Sequence, residues 1–143
     1  MFWKGAVAKP ATKKQYGALP WRYSGGGLEV MLITSRDTGR WVIPKGWPIR
    51  GLTPSQAAAR EAYEEAGLGG MMSSKPIGEF EYGKRVDDGK VQPTRVTVFA
   101  LERMVQHREW PEQGQRRMQW FSITDAAKAV EEPELKMIIK KLK

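Results

Sequence analysis

With 143 residues, of which 41% are hydrophobic and 28% charged, the chain is long enough to bury a core as one domain and too apolar to be disordered. It has no cysteine, which excludes disulfides, thiolate zinc sites and thiol nucleophiles, and fits a cytoplasmic location. The formal charge of +8 predicts an anionic partner: a small polyphosphate, a nucleic acid or a membrane surface.

The predicted elements alternate between strands and helices. We expect residues 1–15 to be a loose leader and residues 16–143 to form a single domain. Within it, strands are predicted over 15–23, 28–34, 41–43, 75–82, 91–105 and 118–121, and helices over 54–66, 122–130 and 132–142. This order predicts an α/β (α+β) fold with a mixed sheet and helices on its faces. No apolar run approaches the roughly 20 residues that cross a bilayer, so we expect no membrane span.

Two other features along the chain carry specific expectations. Pro20 predicts that the first strand lies at a sheet edge or contains a bulge, since proline cannot donate to a ladder. Residues 45–52 contain Gly46, Pro48 and Gly51 and are predicted to be a loop.

The helix predicted over 54–66 has clear start and stop signals. Thr53 can cap it, Pro54 occupies the first helical position, and Gln56 completes a capping box with Thr53. Gly67 can end the helix because glycine adopts a left-handed conformation without steric cost.

Three acidic residues lie on one face of this helix. Glu61, Glu64 and Glu65 stand at i, i+3 and i+4. Repulsion between Glu61 and Glu65 destabilises the helix by a few tenths of a kcal/mol. A divalent cation would offset this repulsion, and carboxylates with no histidine or cysteine nearby favour magnesium or manganese over zinc. On this pattern alone, a solvated acidic face is the alternative.

The segment around these glutamates resembles the Nudix box, G-x5-E-x7-R-E-U-x-E-E-x-G-U. The matching positions are Gly46, Arg60, Glu61, Glu64, Glu65, Gly67 and Leu68. The flanking Trp41-Val42-Ile43-Pro44-Lys45 and the late Trp120-Phe121-Ser122 extend the resemblance to residues 16–142. The arrangement is most similar to the branch that hydrolyses diphosphoinositol polyphosphates and diadenosine polyphosphates. One position departs from the pattern, because Leu52 stands where the box has its first glutamate.

The resemblance implies an α/β/α sandwich that hydrolyses phosphoanhydride bonds with Mg²⁺ or Mn²⁺. It implies that Glu61 and Glu65 bind the metal and that the carbonyl of Gly46 supplies a third oxygen. Glu64 is the predicted general base, and Arg60 is expected to orient the glutamates by a hydrogen bond.

Further ligands are expected outside the helix. Such folds often supply another carboxylate from the late loop, where Glu112 is the best candidate, with Glu79 and Glu81 as alternatives. Phosphate binding is predicted from basic residues near the box, with Arg40 and Lys45 preferred among Arg22, Arg36, Arg40, Lys45 and Arg50. A second basic wall is expected at Lys84, Arg85, Lys90 and Arg95, and Trp47 is a candidate for stacking on a base.

Two other functions are compatible with the sequence. The charge of +8 allows nucleic-acid binding, but the chain has no zinc-finger spacing, no RNP-like motif and no basic helix with heptads. Leu52 allows a catalytically weak or silent protein that binds a nucleotide or nucleic acid with the Nudix fold. Oligomeric state is not encoded in any pattern that we find.

Overall fold

The computed structural model describes residues 10–143, so the first nine residues of the predicted leader lie outside the described part. The strands are β1 (Lys13–Ser24), β2 (Gly27–Thr34), β3 (Trp41–Val42), β4 (Lys45–Gly46), β5 (Leu68–Met72), β6 (Gly78–Arg85), β7 (Val91–Gln106) and β8 (Met118–Ser122). The α-helices are α1 (Pro54–Ala66), α2 (Ile123–Ala129) and α3 (Pro133–Lys141), and a short 3-10 turn covers Asp87–Gly89.

The strands form one mixed sheet in which β3, β2, β1, β7 and β5 are successive neighbours. β1 and β7 run parallel along nine residue pairs, from Lys13 opposite Thr94 to Trp21 opposite Glu102, and the other pairings are antiparallel. The short β4 pairs with β1, and β6 pairs with β7. β8 pairs with β2 on the side opposite β1. The predicted mixed sheet is therefore confirmed.

The central strands are buried on both faces. In β2, Val30 and Leu32 pack on one side of the sheet while Met31 and Ile33 pack on the other. A continuous apolar run is the pattern expected of a strand that has helices on both of its faces.

One helix covers one face of this sheet and two helices cover the other. α1 presents Ala58, Ala62 and Ala66 to the cluster that contains Met31 and Ile33. α2 and α3 pack against the opposite cluster through residues that include Leu135, Ile138 and Ile139. This arrangement is the predicted α/β/α sandwich. Within residues 10–143 no helix has both the length and the apolarity that a bilayer crossing requires.

α1 begins and ends where the sequence predicts. The Thr53 side chain accepts a hydrogen bond from the Gln56 amide, and the Gln56 side chain accepts one from the Thr53 amide at 2.9 Å. Gly67 follows the helix with φ 69° and ψ 20°. Both capping signals are therefore confirmed.

Pro20 does not lie at an edge, because β1 runs between β7 and β2. The partner of β1 on the second side changes along its length, from β4 at Tyr16–Gly17 to β2 at Trp21–Ser24. Pro20 stands at this change of partner, where its missing N–H removes no bond from either ladder. The edge prediction was wrong because the sequence does not reveal that two strands share one side of β1.

Two short strands were not predicted. β4 occupies part of the segment that was expected to be a loop, and β5 contains two glycines, Gly69 and Gly70, which suppress a strand signal. Both form because a long neighbouring strand offers them unpaired backbone groups. In addition, β1 begins at Lys13, and β6 covers Gly78–Arg85 instead of 75–82.

Candidate active site

α1 places two of its glutamates beside β4. The alanines at 58, 62 and 66 face the sheet, and their small side chains let the helix approach closely. Glu61 and Glu65 lie on the flank next to this stripe; Glu65 is 8% exposed and Glu61 is half-buried. Both carboxylates line a cavity of about 330 Å³.

The strand β4 brings main-chain atoms next to these carboxylates. Its pairing with β1, in which Tyr16 is opposite Gly46, holds the segment beside α1. The Lys45 amide donates a hydrogen bond to Glu65 Oε1 at 3.4 Å. A Cβ on Gly46 would lie 2.4 Å from Glu61 Cδ, so only glycine leaves room for the carboxylate as it stands. The glycine that begins the motif is thus explained by this close approach.

The loop between β7 and β8 is fastened to the end of α1. The His107 amide donates to the Gly67 carbonyl at 2.8 Å, and the Glu112 amide donates to the Glu64 carbonyl at 3.0 Å. The Trp110 ring packs so closely over Gly67 that a Cβ there would lie 2.4 Å from it. These contacts hold the loop against the helix and deliver Glu112 to the cavity that Glu61 and Glu65 line.

The same loop supplies Arg116, which sequence reasoning missed. Its side chain is only 10% exposed, and its Nη2 lies 2.9 Å from Glu112 Oε1 and 3.9 Å from Glu65 Oε2. Its Nη1 donates to the Thr34 carbonyl at 3.2 Å. The spacing of four from Glu112 was the only signal, and such a spacing has no geometric meaning outside a helix.

The cavity has carboxylates on one wall and cations around them. Its charged lining residues are Arg36, Asp37, Lys45, Glu61, Glu65, Lys84, Glu112 and Arg116. It opens into a larger cavity of about 640 Å³, and the two share Ser35, Asp37, Val42, Lys45, Tyr82 and Lys84. Together they form one continuous polar cleft beside α1.

Burial perturbs the titration of the innermost groups. Burial raises the pKa of Glu65 to about 8, and the attraction of Arg116 and Lys45 opposes this rise. Burial also raises the pKa of Glu61, and the nearby Glu64 and Glu112 add to the rise. The pKa of Lys45 is lowered to about 8, again mainly by burial, while Glu65 opposes the change. Carboxylates with raised pKa values gain most from a bound cation, because it restores their charged form.

Three of the five predicted phosphate-binding residues lie in the cleft. Arg36 and Lys45 line the smaller cavity, and Arg40 and Lys45 line the larger one. Arg40 is engaged within the protein, since its Nη1 lies 2.6 Å from Glu132 Oε2. Arg36 Nη1 donates to the Gln115 side chain at 2.7 Å.

The other two predicted binding residues lie outside the cleft lining. Arg22 pairs with Glu29 at 2.9 Å and stacks 4.2 Å from the centre of the Trp120 ring. Arg50 is exposed in the turn before α1. In both cases, a place on the strands or the loop that lead into the box did not bring the side chain to the cleft.

The residues predicted to form a second basic wall also lie partly in the cleft and partly outside it. Lys84 and Arg85 line the cleft, whereas Arg95 pairs with Glu81 at 2.8 Å on the exposed side of the sheet. Trp47 is 38% exposed at the mouth, with the Lys84 Nζ 5.9 Å from its ring centre.

Several box positions are not among the residues that line the cleft. The Glu64 carboxylate lies 3.7 Å from Arg60 Nη1, and neither side chain is among the cavity-lining residues of the described chain. At 3.7 Å this contact is an ion pair and not the expected hydrogen bond. Leu52 is likewise outside the cavity lining, in the loop where its amide donates to the Ile49 carbonyl at 3.0 Å.

The donor set fits a hard divalent cation that uses two carboxylates. Within residues 10–143, no group of three acidic, histidine or cysteine side chains converges as a metal site. Glu112 instead points at Arg116. Mg²⁺ is usually bound through only one or two carboxylates, with water and substrate phosphates completing its shell. Glu61 and Glu65 meet that requirement.

The resemblance predicts an α/β/α sandwich in which one helix directs two glutamates into a polar cleft next to a glycine. The structure has this arrangement, with Glu61 and Glu65 on α1 and Gly46 on β4. The chain belongs to the Nudix family, whose NUDIX domain model matches residues 15–142.

Named relatives are hydrolases. The chain is 32% identical over 102 residues to Nudix hydrolase 12, mitochondrial, of Arabidopsis thaliana, which covers 69% of this chain and 50% of that protein. It is 34% identical over 104 residues to diphosphoinositol polyphosphate phosphohydrolase 3-alpha of Homo sapiens, which covers 72% of this chain and 60% of that protein. The matched region thus spans 50% and 60% of the lengths of these relatives.

Solved structures share the fold. A C. elegans Ap4A hydrolase binary complex superposes with a TM-score of 0.66 at 23% identity, covering 91% of this chain and 94% of that one. The E. coli dihydroneopterin triphosphate pyrophosphohydrolase gives a TM-score of 0.65 at 18% identity, with coverage of 94% and 97%. At these identities the likeness concerns the fold alone.

Proposed function

We propose that this protein hydrolyses a phosphoanhydride bond in a polyphosphate or nucleoside diphosphate-linked compound, with a divalent cation bound by Glu61 and Glu65. The observation that carries the proposal is that two carboxylates of α1, the half-buried Glu61 and the buried Glu65, line a cleft that basic residues also line. Diadenosine or diphosphoinositol polyphosphates are the favoured substrates. The diphosphoinositol relative and the extended shape of the cleft support this choice.

In the proposed reaction, water attacks a phosphorus atom and the bond from phosphorus to the bridging oxygen breaks, so the leaving phosphate departs with the electron pair. A bound Mg²⁺ or Mn²⁺ would neutralise phosphate oxygens and activate the attacking water. Lys45, Lys84 and Arg36 would hold the remaining phosphate oxygens. Glu64 stays the predicted acceptor of the water proton, and Arg60 lies 3.7 Å from its carboxylate.

A panel of anhydrides tests the proposal. With Mg²⁺ present, we expect release of products from diadenosine or diphosphoinositol polyphosphates, and slower or no release from damaged nucleoside triphosphates and capped RNA. Product release is measured by chromatography of nucleotides and by phosphate detection. The Glu65→Gln variant controls for contaminating hydrolases. Absence of metal-dependent turnover on the whole panel would reject the proposal.

Gly46→Ala provides a geometric test of the site. The added methyl group meets the Glu61 carboxylate, and a displacement of about 1 Å at a reacting centre costs roughly a hundredfold in rate. We expect that loss of turnover, with an unchanged circular dichroism spectrum. Gly27→Ala is the matched control, because a Cβ at Gly27 meets nothing within 4 Å. Equal turnover in the two variants would contradict the assigned geometry.

Leu52 favours a second candidate, a weak or silent member of the family. We expect Leu52→Glu to change turnover only about twofold, since a substitution away from the cleft changes free energies by about 0.5 kcal/mol or less. A large gain on the same panel would instead indicate an enzyme weakened at this position.

The cytoplasmic location of the protein stays a prediction.

A further inference from the structure

We propose that Arg116 takes the place of a metal ion at Glu112, so that the divalent cation is bound by Glu61 and Glu65 without Glu112. Arg116 is then a positioning residue, which holds Glu112 aside and orients Glu65. This inference rests on the proposed function and replaces the expectation that Glu112 is a metal ligand.

The distances support this assignment. The Arg116 Nη2 is 2.9 Å from Glu112 Oε1, a length typical of a charge-assisted hydrogen bond. Arg36 Nη1 lies 3.7 Å from the same oxygen. A metal ion that recruited this oxygen of Glu112 would have to displace both guanidinium groups. Within residues 10–143 no basic side chain forms an ion pair with Glu61, so its carboxylate is available to a cation.

Arg116 and the β4 backbone divide the oxygens of Glu65 between them. The Lys45 amide donates to Oε1 at 3.4 Å, and Arg116 Nη2 lies 3.9 Å from Oε2. Because Thr34 also accepts a hydrogen bond from Arg116, the guanidinium is held in place independently of the glutamates.

Arg116 is kept at this position mainly for its charge. Its Nε is buried and has no hydrogen-bond partner in the described part of the chain, so the guanidinium leaves part of its bonding capacity unused. A buried arginine is tolerated where opposite charges compensate it, and two carboxylates do so here. The same two carboxylates would repel each other across the cavity without a cation between them.

The decisive measurement is a Mn²⁺ titration of the metal-free full chain by electron paramagnetic resonance, without substrate. We expect Glu112→Gln to bind the same number of Mn²⁺ ions as the wild type, with a Kd raised by no more than about tenfold, the effect of losing one nearby negative charge. We expect Arg116→Gln to bind Mn²⁺ about tenfold more tightly or to bind an additional ion, because Glu65 and Glu112 lose their fixed cation. The double variant E112Q/R116Q should lose that gain, and Arg116→Lys should restore wild-type binding.

Other results would overturn the inference. Loss of a bound Mn²⁺ ion in Glu112→Gln, or a Kd raised by much more than about tenfold, would make Glu112 a ligand. An Arg116→Gln variant with a lower Tm but unchanged Mn²⁺ binding would make Arg116 merely structural. If Arg116→Gln does not fold, Glu112→Gln and Arg116→Lys still decide the question. Glu65→Gln separates this inference from the proposed function, because loss of Mn²⁺ binding there supports the metal site whatever the outcome at Glu112.

Discussion

Glu65→Gln is expected to lower the rate of phosphoanhydride hydrolysis by about a thousandfold or more. A divalent cation contributes several kcal/mol of transition-state stabilisation, and each 1.36 kcal/mol corresponds to about tenfold in rate. Glutamine keeps the shape of the side chain but removes the charge that binds the cation. Steady-state turnover in saturating Mg²⁺ measures the effect. Glu102→Gln, an exposed site on β7, is the matched control.

This loss does not come from unfolding, and the pH dependence of stability shows why. The pKa of Glu65 is raised by burial from 4.5 to about 8 in the metal-free protein. The folded state therefore holds a proton that the unfolded state releases above pH 4.5, so the free energy of unfolding falls as pH rises from 4.5 towards 8. Glu65→Gln should remove this decline. A metal-free variant less stable than the wild type at pH 9 would contradict the buried environment assigned to Glu65.

Parallel variants separate the roles of the three glutamates. Glu61→Gln should weaken Mn²⁺ binding together with turnover. If Glu64 is the general base, Glu64→Gln should lose about 10²–10⁴ in rate and keep normal Mn²⁺ binding. An active Glu64→Gln variant would transfer the base role to another group in the cleft.

Removal of divalent cations is expected to abolish hydrolysis, and added Mg²⁺ or Mn²⁺ to restore it. The physical reason is that Glu61 and Glu65 line the cleft in which we propose that the phosphates bind, and two carboxylates without a cation would repel an anionic substrate. Turnover after treatment with excess chelator, followed by titration with each ion, measures the effect. Unchanged rates in chelator would show that the protein uses no metal.

The apparent metal affinity should also depend on pH in a defined direction. Because a proton and the cation compete for Glu65, affinity should weaken as pH falls below about 8. The limiting slope for one proton is about tenfold per pH unit. Calorimetric titration with Mg²⁺ at several pH values measures this slope, and Zn²⁺-free buffers avoid a competing ion. Affinity that rises on acidification would contradict the assignment.

Local signals explain what sequence reasoning predicted well. Thr53, Pro54, Gln56 and Gly67 act through bonds within a few residues, so α1 was predicted with both ends correct. The glutamates at i and i+4 share a flank because helix geometry requires it, and both reach the cleft. Gly46 was predicted as part of the site from its place in the motif, and the structure supplies the physical reason, its contact with Glu61.

Signals that depend on distant partners were missed. β5 is a strand because β7 offers it a ladder, not because Gly69 and Gly70 favour extended backbone. Arg116 joins Glu65 and Glu112 only because the late loop is fastened to the end of α1. All five basic residues were predicted because they surround the strands and loop that lead into the box, but only Arg36, Arg40 and Lys45 line the cleft.

The sequence by itself determined the limits of α1 and the shared face of its glutamates, since both follow from capping and periodicity over a single helix. The order of the elements predicted the class of fold, and the resemblance to the Nudix box implied that Glu61 and Glu65 bind the metal. Only the tertiary structure decided which glutamate lies outside the cleft lining, which arginines line the cleft and that Glu112 meets a guanidinium. These outcomes depend on contacts between residues far apart in the chain, such as Arg116 with Thr34, and no local pattern encodes such contacts.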